Sequence, residues 1–210
     1  MSLIHEVSPK HCANKKAINF PKLNGKFFYY LSTFFLAILS LVFLVWLILH
    51  PTKPQFSLQN AEINVFNLLG PYLLNSSIVV TLQSNNPNKK VGIYYDQLLL
   101  YASYGGQKIT TETLIPPFYE EHEEKNLLSA SLVGNLQPVD PSFAYKFFND
   151  QRTGSFVVNF KVMGRLRWKV GTWVSGSYRF LVNCATSMPF GPTGSPPFTL
   201  KQGTQCSTSI

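Results

Sequence analysis

The sequence predicts a single N-terminal transmembrane helix followed by an all-β antiparallel sandwich with one short flanking helix. Three observations carry that class. An uncharged apolar run, FFYYLSTFFLAILSLVFLVWLIL, fills positions 27–49. Beyond it, several stretches alternate apolar and polar residues with period two, the mark of half-buried strands. Gly, Pro and Asn clusters separate those stretches at nearly regular spacing, as sandwiches require.

As a helix the run 27–49 is roughly 34 Å long, enough to cross a bilayer core. Tyr29 and Tyr30 stand near one end and Trp46 near the other, where an aromatic belt sits. The run is too long for a signal-peptide core, and LILHPTKP offers no small-residue cleavage site, so an uncleaved signal anchor is expected. Upstream lie Lys10, Lys15, Lys16, Lys22 and Lys26 against Glu6 alone; just downstream, only Lys53 precedes Lys89. The positive-inside rule places the tail in the cytosol and the remainder across the membrane. Half of the formal net charge of +8 sits in that tail. It faces an anionic leaflet, and no nucleic-acid partner is expected from it. Thr33 and Ala37 form a weak small-xxx-small spacing, which leaves the oligomeric state open.

The predicted organisation is a basic tail over 1–26, the membrane helix over 27–49, an exit linker and first strand over 50–74, the sandwich over 75–185, and an irregular tail over 186–210. Pro51 and Pro54 bar helix in the linker. SIVVTLQS places Ile78, Val80 and Leu82 on one face. SFVVNFKVMG does the same with Phe156, Val158, Phe160 and Val162, and SYRFLVNC with Tyr178, Phe180, Val182 and Cys184. DQLLLYASY, QKITTETL and NLLSASLVG are weaker strands, the first two joined by a Gly105–Gly106 hairpin. DPSFAYKFFND predicts the helix, with Asp140 as cap, Pro141 in the first turn, and Phe143 and Phe147 sharing a face. The last stretch is rich in Gly, Pro, Ser and Thr and reads as irregular.

Chemistry is sparse. No G-x-S-x-G elbow, phosphate-binding glycine loop or H-E-x-x-H occurs, so no enzyme and no cofactor are expected. The run Glu120–Glu124 around His122 has two readings, a cation site or a solvated, self-repelling loop. It lacks the spaced Asp/Asn/Gly pattern of a calcium loop, and no metal is assigned to it. Cys12 falls in the tail; Cys184 and Cys206 fall on the oxidising side, where two thiols tend to pair, with independent thiols as the alternative. NSS makes Asn75 a candidate N-glycan acceptor. In GRLRWKVGTWVSGSYR, Leu166, Trp168 and Val170 alternate with Arg165, Arg167 and Lys169, an outward cationic row and a candidate contact surface. NNPNKKVGIYYD reads as a strand-to-strand corner with Lys89 and Lys90 exposed at its tip as further members of the candidate contact surface, one of Tyr94 and Tyr95 buried, and Asp96 accepting backbone N–H bonds.

Taken together, NPNKKVGIYYD, PPFYEEHEE, GRLRWKVGTWVSGSYRFLVNC and the single N-terminal anchor resemble the plant harpin-induced / non-race-specific disease resistance-like proteins, which carry a late embryogenesis abundant group 2 domain. The resemblance covers nearly the whole chain. It implies a fibronectin-like sandwich, no catalytic residues, and placement in the plasma membrane and, for some members, at plasmodesmata. It implies roles in defence, stress signalling or cell-to-cell transport. Action by binding follows, to a protein partner or to a lipid or cell-wall component. One form of it sets Arg165, Arg167 and Lys169 against anionic lipid or wall polyanion.

Overall fold

The computed structural model describes residues 25–49 (side chains to 44), 51–70, 72–190, 195–200 and 203–210. Cys12, the tail lysines before Lys26, His50 and the Trp46 side chain lie outside the described residues. The chain divides into two units, one ending at Ile48 and one beginning at Leu49.

In the first unit, helix α1 spans Gly25–Leu49. Its segment Gly25–Leu44 is long and apolar enough to cross a membrane, with mean hydropathy 2.1 and none of it buried by protein. The Thr33 hydroxyl donates to the Tyr29 and Tyr30 carbonyls, both at 3.0 Å, so the helix satisfies its own polar group, as lipid demands.

The second unit is a sandwich of two antiparallel sheets. The smaller sheet contains β1 (Gln55–Leu69), β2 (Leu73–Asn85), β7 (Lys125–Pro138), β11 (Phe198–Leu200) and β12 (Thr204–Gln205), ordered β11-β1-β2-β7 with β12 also on β1. The larger contains β3 (Gly92–Tyr104), β4 (Gln107–Lys108), β5 (Thr113–Ile115), β6 (Phe118–Glu120), β8 (Ser155–Val170), β9 (Trp173–Val174), β10 (Tyr178–Pro189) and β13 (Ser207–Ser209). Its path is β13-β10-β8-β3-β4, with β5 and β6 on β3 and β9 on β8. Strict alternation in β8 and β10 sends Phe156, Val158, Phe160, Val162, Phe180, Val182 and Cys184 into the core. An aliphatic middle lies between two aromatic ends. Phe56, Tyr95, Phe118 and Phe180 fill one; Phe66, Tyr104, Phe143, Phe147 and Phe156 fill the other.

Helix α2, Ser142–Thr153, closes the second end by burying Phe143 and leaning Phe147 on Phe66. Gly154 terminates it in the left-handed conformation at φ 86°. The expected Asp140 side-chain cap is not made. Pro141 is already helical, and Asp140 instead accepts the Phe143 N–H with its carbonyl, at 2.9 Å. The hairpin at Gly105–Gly106 has positive φ at both glycines, 58° and 83°, which an ordinary side chain resists.

Two predicted boundaries require correction. The sandwich is wider than 75–185, because β1 pairs with β2 along its whole length. The described residues within 186–210 are not irregular: β11 and β12 pair with β1, and β13 pairs with β10. These are edge strands. They need few buried side chains, here chiefly Phe198, so they carry no apolar alternation for the eye to find. QKITTETL likewise is two short strands, broken where Thr110 turns inward and its hydroxyl accepts the Ala102 N–H at 3.0 Å.

Candidate functional site

The outer face of the larger sheet collects the charge. Its strands carry Lys108, Lys161, Arg165, Arg167, Lys169 and Arg179, against Asp96 and Glu120. Pleating aims these cations outward because their neighbours Leu166, Trp168 and Phe180 are buried. Their fates then differ. Arg167 forks onto Asp96, with Nη2 to Oδ1 at 2.6 Å and Nε to Oδ2 at 2.9 Å, and this pairing raises its already high pKa further. Lys169 Nζ lies over the rings of Tyr119, at 4.8 Å, and Tyr94, at 5.6 Å. Lys108 pairs with Glu112 at 2.6 Å.

The anchoring role expected of Asp96 is therefore corrected: it binds a guanidinium, not turn backbone. The cause is a β-bulge between Tyr95 and Gln97, which inserts Asp96 as an extra residue opposite β8. Gly164 makes the bulge feasible. A Cβ there would collide with the Gln97 carbonyl, Leu98 and Phe180. The same bulge sets neutral Gln97 opposite Arg165.

Arg165 faces Arg179 directly in the β8–β10 register. Both are exposed, and neither forms an ion pair or side-chain hydrogen bond with the described residues. Arg179 lies on β10, outside the β8 row of Arg165, Arg167 and Lys169, and the alternation about buried Phe180 points it outward. Beside the pair, a groove of about 460 Å³ is lined by Gln97, Leu99, Met163, Leu181 and Ile210, and reaches down to Gly164 and Phe180.

Lys89 and Lys90 are exposed on the corner 86–91, away from this groove. The corner is a built knot. Buried Asn86 donates to the Val91 and Glu121 carbonyls, each at 2.8 Å. Asn88 accepts the Thr52 N–H at 2.7 Å and returns a bond to the Thr52 carbonyl at 2.9 Å. Of the tyrosine pair, Tyr95 is buried and Tyr94 is not.

Glu120 corrects the reading of its run as a solvated loop. Its side chain is fully buried, taking bonds at Oε2 from Ser84 at 2.9 Å and Tyr95 at 3.0 Å, while Oε1 has no partner among the described residues. Burial pushes its pKa up to about 7; the two bonds draw it partly back, and Glu124 adds repulsion. The Tyr95 hydroxyl is pushed far up by the same burial and by Glu120. His122 is exposed, and among the described residues no His, Cys, Asp and Glu gather as metal ligands.

Cys184 and Cys206 are joined, with Cα atoms 4.4 Å apart. Cys206 lies between β12 of one sheet and β13 of the other, so the bridge fastens the two sheet edges. Asn75 is half-buried on β2, where its Oδ1 accepts the Leu136 N–H at 2.7 Å.

Residues 81–185 match the family described as late embryogenesis abundant protein. NDR1/HIN1-like protein 26 of Arabidopsis thaliana is 54% identical over the whole of both chains. NDR1/HIN1-like protein 12 of the same plant is 44% identical over 72% of each chain. NDR1/HIN1-like protein 1 is 41% identical over 71% of this chain and 73% of its own. With an apolar N-terminal helix, a two-sheet sandwich and this degree of identity, the chain belongs to the NDR1/HIN1-like family and carries its late embryogenesis abundant domain.

Proposed function

We propose that this chain is a non-enzymatic, single-pass plasma-membrane protein of plant defence or stress response. It holds its sandwich on the extracellular side and acts by binding an anionic partner. One observation carries the binding reading: Arg165 and Arg179 stand exposed on the larger sheet, unpaired among the described residues, beside an apolar groove. Such a surface recognises negative charge rather than transforming a substrate. The Cys184–Cys206 bridge supports the extracellular placement, because disulfides persist in oxidising compartments. The lysines upstream of α1 support a cytosolic N-terminus. A glycan on Asn75 belongs to the same reading; attachment at Nδ2 leaves the Oδ1 bond to Leu136 in place.

A pH-sensitive fluorophore fused to each terminus in turn tests the orientation. The C-terminal fusion is expected to follow external pH and the N-terminal fusion to ignore it. The opposite pattern refutes the reading.

A further inference from the structure

The unpaired arginines and the groove beside them make one amphiphilic site. Arg165 and Arg179 are direct cross-strand neighbours, and like charges in that position repel. Neither meets a side-chain carboxylate among the described residues, because the bulge directs Asp96 to Arg167 and leaves neutral Gln97 next in the row. The next outward row along the same strands is apolar. Leu114, Leu99, Met163 and Leu181 are cross-strand partners in succession, on β5, β3, β8 and β10. At ordinary strand spacing this row extends roughly 14 Å. Leu114 is 61% exposed and Leu181 42%, so the row is open to solvent.

We propose that this site binds a single-chain phosphomonoester lipid, with its phosphate between Arg165 and Arg179 and its alkyl chain along Leu181, Met163 and Leu99. The charge matches. Two guanidiniums oppose a head group that carries nearly two negative charges near neutral pH. The floor selects against other anions. It is the face of a paired sheet, so it offers no free backbone groups to a peptide strand. A sugar polyanion would set its hydroxyls against Leu and Met without partners. An alkyl chain needs none. The groove volume lies within the usual range for small-ligand sites, about 300–1,000 Å³. This inference rests on the binding role proposed above and names its ligand.

The test uses the full chain in phosphatidylcholine nanodiscs with lysophosphatidic acid bearing a diazirine on its acyl chain. Light-induced labelling is mapped by mass spectrometry. Saturable labelling is expected in peptides containing Met163 or Leu181, and at least tenfold weaker in R165Q/R179Q. L181D should lose the label as well, with M163Q as a milder check if L181D fails to fold. Unchanged labelling in R165Q/R179Q overturns the proposal. So does equal labelling by the choline-headed lysolipid, which would mean apolar adhesion only, or full competition by inorganic phosphate, which would mean a plain anion site. Orientation is read separately from the fluorophore fusions. A correctly oriented sandwich with no label therefore overturns the lipid and leaves the broader reading standing.

Discussion

The two outer faces of the sandwich are built by the same alternation yet differ in kind. The strands of the smaller sheet carry one cation, Lys125, and one acid, Glu62. Their outer surface mixes exposed apolar side chains such as Val79 and Leu127 with amides and hydroxyls, Gln59 bonded to Gln83 at 2.7 Å and Thr81 to Ser129 at 3.1 Å. The larger sheet carries the cations, and two of them face each other unpaired. Folding constrains the inward half of each strand and leaves the outward half free, so a one-sided charge speaks of contact rather than of stability.

The largest effect is expected where the faces are tied together. Replacing Cys184 and Cys206 with Ser should cost about 3 kcal/mol, because the bridge closes a 22-residue separation and fastens both sheets. Chemical denaturation should show one cooperative transition at lower denaturant. If only the edge strands loosened, the two faces would be less coupled than the structure implies.

Next comes Gly164→Val, which forces a side chain against the bulge carbonyl and Phe180 and should cost about 2 kcal/mol. Thr81→Val on the smaller sheet's outer face should stay within about 0.5 kcal/mol. Comparable losses at both positions would remove the distinction between the faces.

The third effect depends on pH. Glu120 on the larger sheet bonds Ser84 on the smaller one, and its folded pKa of about 7 exceeds the usual 4.5. The folded state therefore holds its proton more tightly than the unfolded chain. The stabilisation is complete below about pH 4.5 and is lost as pH rises through about 7. The melting temperature should climb by a few degrees between pH 8 and pH 5, at about 2–4 °C per kcal/mol for a chain of this size. In E120Q that component of the slope should vanish; an unchanged slope would place the titrating group elsewhere.

The smallest effect on stability, and the largest on contact, belongs to R165E/R179E. Melting should hardly move, since both side chains are exposed. Sedimentation with acidic vesicles should fall, and should fall with salt in the wild type. Gln83→Glu, on the opposite face, should leave sedimentation alone. Equal loss in both variants would mean that net charge, not a face, governs binding.

Much of this was legible in the sequence, and the exceptions have physical causes. Phe156 to Val162 reads as a strand because burial of one face imposes period two. Gly105–Gly106 reads as a hairpin because few residues accept positive φ. The edge strands β11 to β13 leave no such mark, since they are short, held mainly by backbone bonds, and bury few side chains besides Phe198. Glu120 hid in a charge run, and only β6 pairing with Ile93 takes it inside. The Arg165–Arg179 pair requires a register across two strands, and the Asp96–Arg167 pair requires a bulge. Neither is a local property of the chain.

The knot between Thr52 and Asn88 has a mechanical consequence. Thr52 stands three residues past Leu49, where α1 ends, so tension entering the sandwich through residue 51 meets Asn88 before it meets β1. Beyond the knot, β1 is held on both sides, by β2 along its length and by β11 and β12. A pull along such a strand shears many bonds at once instead of opening them one by one. The corner that displays Lys89 and Lys90 is thus also the domain's strain relief, a cleat to which the incoming chain is made fast.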